Sequence, residues 1–342
     1  MTGGMTQRTW GTWGTAMSEA LYGPGGFYRA AGSGPAGHFR TSVHASPLFA
    51  EALLRLARVC KLTTVVDVGA GRGELLAALH RLDPALRLVA VEVADRPRDL
   101  PADVGWQRDV PATDGALVVA NEWLDVVPLE VVELTPAWLR VVEVSVDGHE
   151  RLGGPAAPED AAWVAEWWPL SAVGARAEVG RSRDEAWASV VSSVRRGVAV
   201  AVDYAHDRAA RPAAGSLTAY RRGRQVAPVP DGTCDLTAHV ALDACAAAGE
   251  AAGATATALT TQAEALRGLG VDGARPARDE AERDPAGYLA ALARAGAAAE
   301  LTDPGGLGGF GWLVQAVGRP LPEGWVPRTP AATRAAGARR GS

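Results

Sequence analysis

At 342 residues the chain has length for roughly two domains of about 150 residues each. Apolar residues make up 48 % and charged residues 21 %, ordinary globular usage that excludes wholesale disorder and collagen-like structure. The net charge of −5 argues against a binder that works by general attraction to nucleic-acid phosphate.

The opening MTGGMTQRTWGTWGT lacks the apolar stretch of a signal peptide, and no apolar run reaches the roughly 18 residues of a spanning helix. Cys60, Cys234 and Cys245 are too scattered for a disulfide framework or a CxxC metal site. A cytoplasmic protein is expected, with no membrane or nucleic-acid partner. Ser18 to Tyr22 reads as a short turn, and Gly23 to Gly37 as a Gly/Pro-rich loop. Ser46-Pro47 opens an amphipathic helix. Thr63–Val68 is a continuous apolar strand running into Gly69-Ala70-Gly71-Arg72-Gly73. Helix follows over Glu74–Leu82, then strands over Leu86–Val93 and Ala116–Ala120. Strands apolar throughout belong to parallel sheets covered on both faces, so an α/β doubly wound sheet is predicted. Leu129–Leu134 and Trp138–Val146 read as a hairpin around Thr135-Pro136, and Ala156–Trp168 and Arg183–Arg195 as helices. Val198–Asp203 is a buried strand, and Asp235–Gly249 reads as an Ala-rich helix with Asp235 and Thr237 near its start. A strand over Ala254–Leu259, helices over Gln262–Leu269 and Asp279–Ala299, and a strand over Trp312–Val317 complete the pattern. The Pro/Arg/Ala/Gly-rich tail after Gly318 is expected to be disordered.

The strand, glycine turn and helix start of VVDVGAGRGE let a backbone approach a ligand closely. A dinucleotide fingerprint, GxGxxG, would need glycine at 74, where Glu74 stands. The spacing is Gly69-x-Gly71-x-Gly73, the GxGxG of S-adenosylmethionine (SAM) sites, whose ligand has an amino-acid end and no phosphate. Glu92, nineteen residues past Gly73, can accept hydrogen bonds from both ribose hydroxyls.

Around this loop stand ALYGPGGFY (20–28), GHFRTSVHAS (37–46), VVANEWLDVVPLEVVEL (118–134), VAVDYAH (200–206), GSLTAYR (215–221), GTCDLTAHVALDACAAAG (232–249) and TQAEALRGLGV (261–271). With them the chain resembles the MidA-like (DUF185) SAM-dependent methyltransferases, related to the mitochondrial complex I assembly-factor protein arginine methyltransferases. The segments keep the family's order over roughly residues 17 to 318. The resemblance implies a seven-stranded class I, Rossmann-like methyltransferase sheet and methyl transfer from SAM to a protein substrate, with arginine one option and a homodimer left open. The implied layout is an N-terminal lid with helices over 1–60, a core over 61–128 and 196–318, a hairpin and helical insertion over 129–195, and the tail 319–342. Asp67 stands where the family has Glu, and the family's GDF-x-TSPE-x-S has His38, Val43 and His44 for Asp, Pro and Glu. GGFGWLVQAVG replaces a segment with Met-Gly-Glu.

Asn121, Glu122 and Asp125, just past a sheet strand, are the candidate catalytic residues, with Asp125 orienting substrate or only capping the turn. Two carboxylates and an amide suit a nucleophile such as guanidinium, which is always protonated and has five donors. Asp67 is expected to order the glycine loop by hydrogen-bonding its amides. Asp109 could meet the adenine amino group or solvent, and Tyr22, Thr41 and Ser42 belong to a lid over the cofactor or to a surface loop. Asp203 and Tyr204 end a strand on the same side of the sheet. Asp235 and His239, four apart, would share a helix face toward the substrate or serve as a cap and a core histidine. His38 and His44 lack the Cys or acid spacing of a metal site, so no metal is expected. A partner-binding scaffold of the same fold and a nicotinamide oxidoreductase are the competing classes.

Overall fold

The computed structural model describes residues 9–29 and 41–321. The apolar runs form one seven-stranded sheet: β1 (Thr64–Val68), β2 (Arg87–Val91), β3 (Gly105–Gln107), β4 (Thr113–Asn121), β5 (Val194–Asp203), β6 (Ala256–Thr261) and β7 (Gly311–Val317). Its order is β6–β7–β5–β4–β1–β2–β3, with β7 antiparallel to both neighbours and every other pairing parallel. The helices are α1 (Trp13–Tyr22), α2 (Pro47–Val59), α3 (Glu74–Leu82), α4 (Pro158–Trp167), α5 (Arg181–Ser192), α6 (Leu242–Ala251), α7 (Gln262–Gly268) and α8 (Pro285–Leu301). None of the described helices is long and apolar enough to cross a membrane.

Successive strand residues point to opposite faces, so both faces must be apolar to be covered. Val65, Leu117, Val198 and Val200 pack with Leu53, Leu79 and Leu266 of α2, α3 and α7. Their neighbours Val66, Val118 and Ala199 pack with Trp187 and Val190 of α5 and Cys245 of α6. Helix α2 begins as its sequence signals: Ser46 Oγ accepts from the Leu48 amide at 3.2 Å, and Pro47 takes the first turn.

The hairpin is present, with Val132 opposite Val141 and Leu134 opposite Leu139. It belongs to a second, antiparallel sheet that also takes in Trp10–Thr12, Glu150–Pro155 and Arg176–Val179. Helix α5 lies on the main sheet and links the parallel neighbours β4 and β5, so the added layer closes near Gly180 and not at 195.

Three sequence expectations change. The turn at Ser18–Tyr22 is the end of the ten-residue α1, which starts where Thr12 Oγ1 caps the Thr15 amide. Asp235–Thr237 is a strand, antiparallel to Thr218–Arg221, and the Ala-rich helix starts only at Leu242. Cys234, Leu236 and Ala238 enter the core while Asp235 and Thr237 face the other way, a period of two that the alanines beyond 243 obscure. The predicted helix over 279–299 breaks at Asp284-Pro285, where Asp284 caps Gly287 and proline opens α8. His38, most of the Gly/Pro-rich loop and the tail beyond 321 lie outside the described residues.

Candidate active site

A cavity of about 920 Å³ opens at the C-terminal ends of β1, β2, β4 and β5. The glycine loop forms its floor. Gly69 and Gly71 have φ of +72° and +57°, and Gly73 has +80° as the residue before α3. Each sits in the left-handed region where a side chain is costly. A Cβ on Gly69 would come within 2.6 Å of the Trp123 ring, and one on Gly73 within 2.7 Å of Leu100. Among the described residues a Cβ on Gly71 would meet only Glu74 Oε2, at 3.6 Å. Gly69 and Gly71 line the cavity; Gly73 instead lets α3 start against Leu100.

Glu92 orders this loop. Its Oε2 accepts from the Gly71 amide at 2.9 Å and its Oε1 from the Ala94 amide at 3.0 Å. That corrects the expectation for Asp67, which is 4 % exposed and has no hydrogen bond to the loop amides among the described residues. Burial, reinforced by Glu74 and Glu92, pushes the Asp67 carboxyl well above the usual range. Glu92 also lines the cavity, as does Asp109, alongside Val110, Ala186 and Ser189.

The other end of the cavity is acidic and aromatic. Glu122 follows β4 with φ of +50°, its amide donating to Val202 O at 2.8 Å. Its Oε1 accepts from the Ser42 amide at 3.2 Å and from Asn121 Nδ2 at 3.1 Å. Asp125 is 5 % exposed; Thr237 Oγ1 donates to its Oδ2 at 2.7 Å, while Oδ1 is buried with no partner among the described residues. Asp235 accepts from the Tyr28 hydroxyl at 2.7 Å. Tyr22 stacks on Tyr28 at 5.5 Å and donates to Val126 O at 3.1 Å. Burial, then the field of Asp125, lifts Glu122 to about 7 and Asp235 to about 8. Asp125 is itself raised by burial against the lowering effect of the Thr237 hydrogen bond. Taking carboxyls out of water disfavours their charge, and neighbouring acids add to the effect.

The predicted residues separate accordingly. Tyr22, Thr41, Gly69, Gly71, Glu92, Asp109, Glu122, Asp125, Tyr204 and Asp235 line one cavity. Asn121 and Ser42 stand behind Glu122; Ser42 Oγ also donates to Gln262 Oε1 at 3.0 Å. Asp203 is fully buried, and its Oδ2 accepts from the Leu124 and Asp125 amides at 3.0 and 3.2 Å. His239 shares no helix face with Asp235, because that segment is a strand. It lies outside the main cavity and stacks on Tyr204 at 5.7 Å. Tyr28, Trp123 and Arg183 were not singled out from sequence. Trp123 lies inside the ANEWLD segment, whereas nothing marks one arginine of a helix.

The family model described as "Putative S-adenosyl-L-methionine-dependent methyltransferase" matches residues 48–260, more than half of the chain. Among solved structures, the chain is similar to a COG1565 superfamily member from Burkholderia thailandensis bound to S-adenosyl-homocysteine. Identity is 27 % and the TM-score 0.74, over 93 % of this chain and 89 % of that one. A native structure of a COG1565 superfamily protein from the same organism aligns at 27 % identity and a TM-score of 0.73, over 90 % and 87 % of the two chains. None of the curated proteins matches.

Proposed function

The chain belongs to this family of S-adenosyl-L-methionine-dependent methyltransferases, and from that premise we propose that it methylates a guanidinium nitrogen of a protein arginine. The cofactor fits the cavity floor: bare backbone at Gly69 and Gly71, Glu92 at the end of β2 for the ribose, and Asp109 toward the base. Bound there, SAM supplies an electrophilic methyl group on a sulfonium. The nicotinamide alternative falls with the family.

The observation that carries the acceptor reading is Asp125 Oδ1, an acid oxygen buried at the cavity wall without a donor among the described residues. Glu122 and Asp235, held near 7 and 8, stand on the same wall. A buried acid cluster is costly alone and favourable around a cation that carries several N–H donors. Guanidinium is such a cation, and carboxylates gripping two of its nitrogens localise its charge away from the third. In the transfer the S–CH₃ bond breaks and an N–CH₃ bond forms. The proton released from that nitrogen passes to Glu122, whose value near neutrality suits a proton acceptor. Orientation of nucleophile against methyl can supply several kcal/mol, up to about 7–11.

The test is incubation of the purified protein with methyl-tritiated SAM and a panel of arginine-containing peptides, followed by hydrolysis and amino-acid analysis. Label in methylarginine supports the reading, and label in methyllysine, or label released as methanol by mild base before hydrolysis as from a carboxyl ester, overturns the arginine assignment. Binding of SAM with no transfer to any peptide or lysate protein would favour the scaffold. Calorimetry with Gly71→Arg, which puts a long side chain on the cavity floor, should show loss of SAM binding; retained affinity would mean the cofactor lies elsewhere.

A further inference from the structure

Arg183 lies in the first turn of α5 and is 2 % exposed, with no carboxylate at ion-pairing distance among the described residues. Its donors go to four backbone carbonyls instead. Nε donates to Val127 O at 3.2 Å, Nη1 to Ala238 O and His239 O at 2.9 Å each, and Nη2 to Asp125 O at 2.5 Å. These carbonyls belong to two segments distant in sequence: the turn after β4, which carries Asp125, and the residues just past the strand that carries Asp235 and Thr237. The same turn is held at its amides by Asp203. Bridging both segments needs a planar fork of donors, which lysine lacks.

The charge of Arg183 also has a destination. Four acids face it: Glu178, Asp125, Asp203 and its neighbour Asp184, which accepts from Trp163 Nε1 at 2.6 Å, with the Cys245 thiol and the His239 ring nearby. Glu178 already accepts from the Ser216 amide and hydroxyl and from the Leu217 amide. Asp203 already accepts from the amides of Leu124, Asp125 and Tyr204. Among the described residues Asp125 and Asp184 each keep one buried oxygen with no donor, and of these two only Asp125 sits on the turn that Arg183 Nη2 holds. We infer that Arg183 is the positioning residue of the acceptor end: it locks the Asp125–Thr237 pair across the two segments and supplies the positive charge that balances Asp125 before an acceptor arrives. This rests on the reading that Asp125 faces the acceptor, but its test does not need the acceptor.

The test is a double-mutant cycle of Arg183→Met and Asp125→Asn in the full chain, read from denaturant unfolding at pH 8 and pH 5. Asparagine keeps the shape and the Thr237 hydrogen bond while removing the charge. A coupling of about tenfold in the unfolding equilibrium is expected at pH 8. It should shrink at pH 5, because a carboxyl raised above its usual range loses charge as the pH falls, with Glu122, Asp203 and Asp235 around it. Additive costs at both values would reduce Arg183 to a packing residue and overturn the proposal. If Arg183→Met does not fold, Arg183→Lys replaces it: lost fork with retained charge predicts destabilisation with the pH 8 coupling to Asp125→Asn near zero, and a full tenfold coupling would overturn the charge assignment. Intact coupling in a protein that methylates no arginine peptide would instead sink the acceptor reading and leave this one standing.

Discussion

Glu122 combines two costs that a purely structural residue would not carry. A φ of +50° is uncommon for a residue with a side chain, and its carboxyl sits among acids at about 7. Among the described residues both hydrogen bonds it accepts fall on Oε1, which leaves Oε2 for a ligand. The sign of the stability effect follows from linkage. The folded value lies above the 4.5 of an unperturbed glutamate, so the folded state holds its proton more tightly than the unfolded one. Stability contributed by this group is therefore full below about 4.5 and declines as the pH rises toward 7. Glu122→Gln removes that penalty: at pH 8 it should stabilise the ligand-free protein by up to about 3 kcal/mol, and at pH 5 by little. Methyl transfer should fall on the order of 100-fold while SAM affinity is kept. Denaturant titrations at the two pH values, beside single-turnover assays, check both halves. Equal stability of variant and parent at pH 8 would show that the buried charge costs nothing.

Among the elements, the short helical turn at Ser42–Ala45 ties the start of α2 to the glycine loop. Thr41 Oγ1 lies 2.7 Å from His44 Nδ1, and His44 Nε2 lies 3.3 Å from Glu74 Oε1 at the start of α3. The hydrogen bond with Glu74 raises His44, and Glu74 is lowered, with His44 opposing its burial. A raised histidine stabilises below about 6.5 and loses that contribution as the pH climbs through its folded value. A lowered glutamate stabilises above about 4.5. The pair thus acts between these limits, and because both side chains are about 30 % exposed its worth is about 0.5 kcal/mol. His44→Ala should cost this much at pH 6 and almost nothing at pH 8.5, as read from melting curves; an equal cost at both would mean packing alone. His44 was legible in sequence only as a departure from an acidic pattern, since its partner sits 30 residues away. The strands and the glycine loop were legible because continuous apolar runs and Gly spacing are local signals. Asp235–Thr237 was misread because alanines downstream lend helix propensity to a segment whose own alternation is two. Arg183 was invisible because its partners are carbonyls, which no side-chain pattern reveals.

At the scale of the whole molecule, the cavity is a seam between two layers. The main sheet brings Gly69, Glu92 and Glu122, while α1, the residues after it and the strand at 235–237 bring Tyr22, Tyr28, Asp235 and Thr237. The second group rests on its own core, where Trp13, Met17 and Leu21 of α1 pack with Val142, Val144 and Leu236. Trp13 is 1 % exposed and its Nε1 donates to Glu150 Oε1 at 2.8 Å, so it fixes α1 to the added sheet. Leu79, fully buried in α3, does the corresponding work behind the glycine loop. Trp13→Ala should cost about 3–5 kcal/mol and Leu79→Ala about 2–5 kcal/mol, by transfer and cavity terms. Their functional effects should diverge despite similar losses. Loosening α1 moves Tyr22 and its hold on Val126, so with the proposed arginine-peptide acceptor Trp13→Ala should raise KM about tenfold or more and leave the Kd for SAM within about twofold. Loosening α3 disturbs the loop that Glu92 orders, so Leu79→Ala weakens SAM itself. Calorimetry with SAM and initial rates with the peptide separate the two, both at 15 °C after circular dichroism has shown that each variant is folded there. If Trp13→Ala and Leu79→Ala weakened SAM alike, cofactor and acceptor ends would not be divided between the layers.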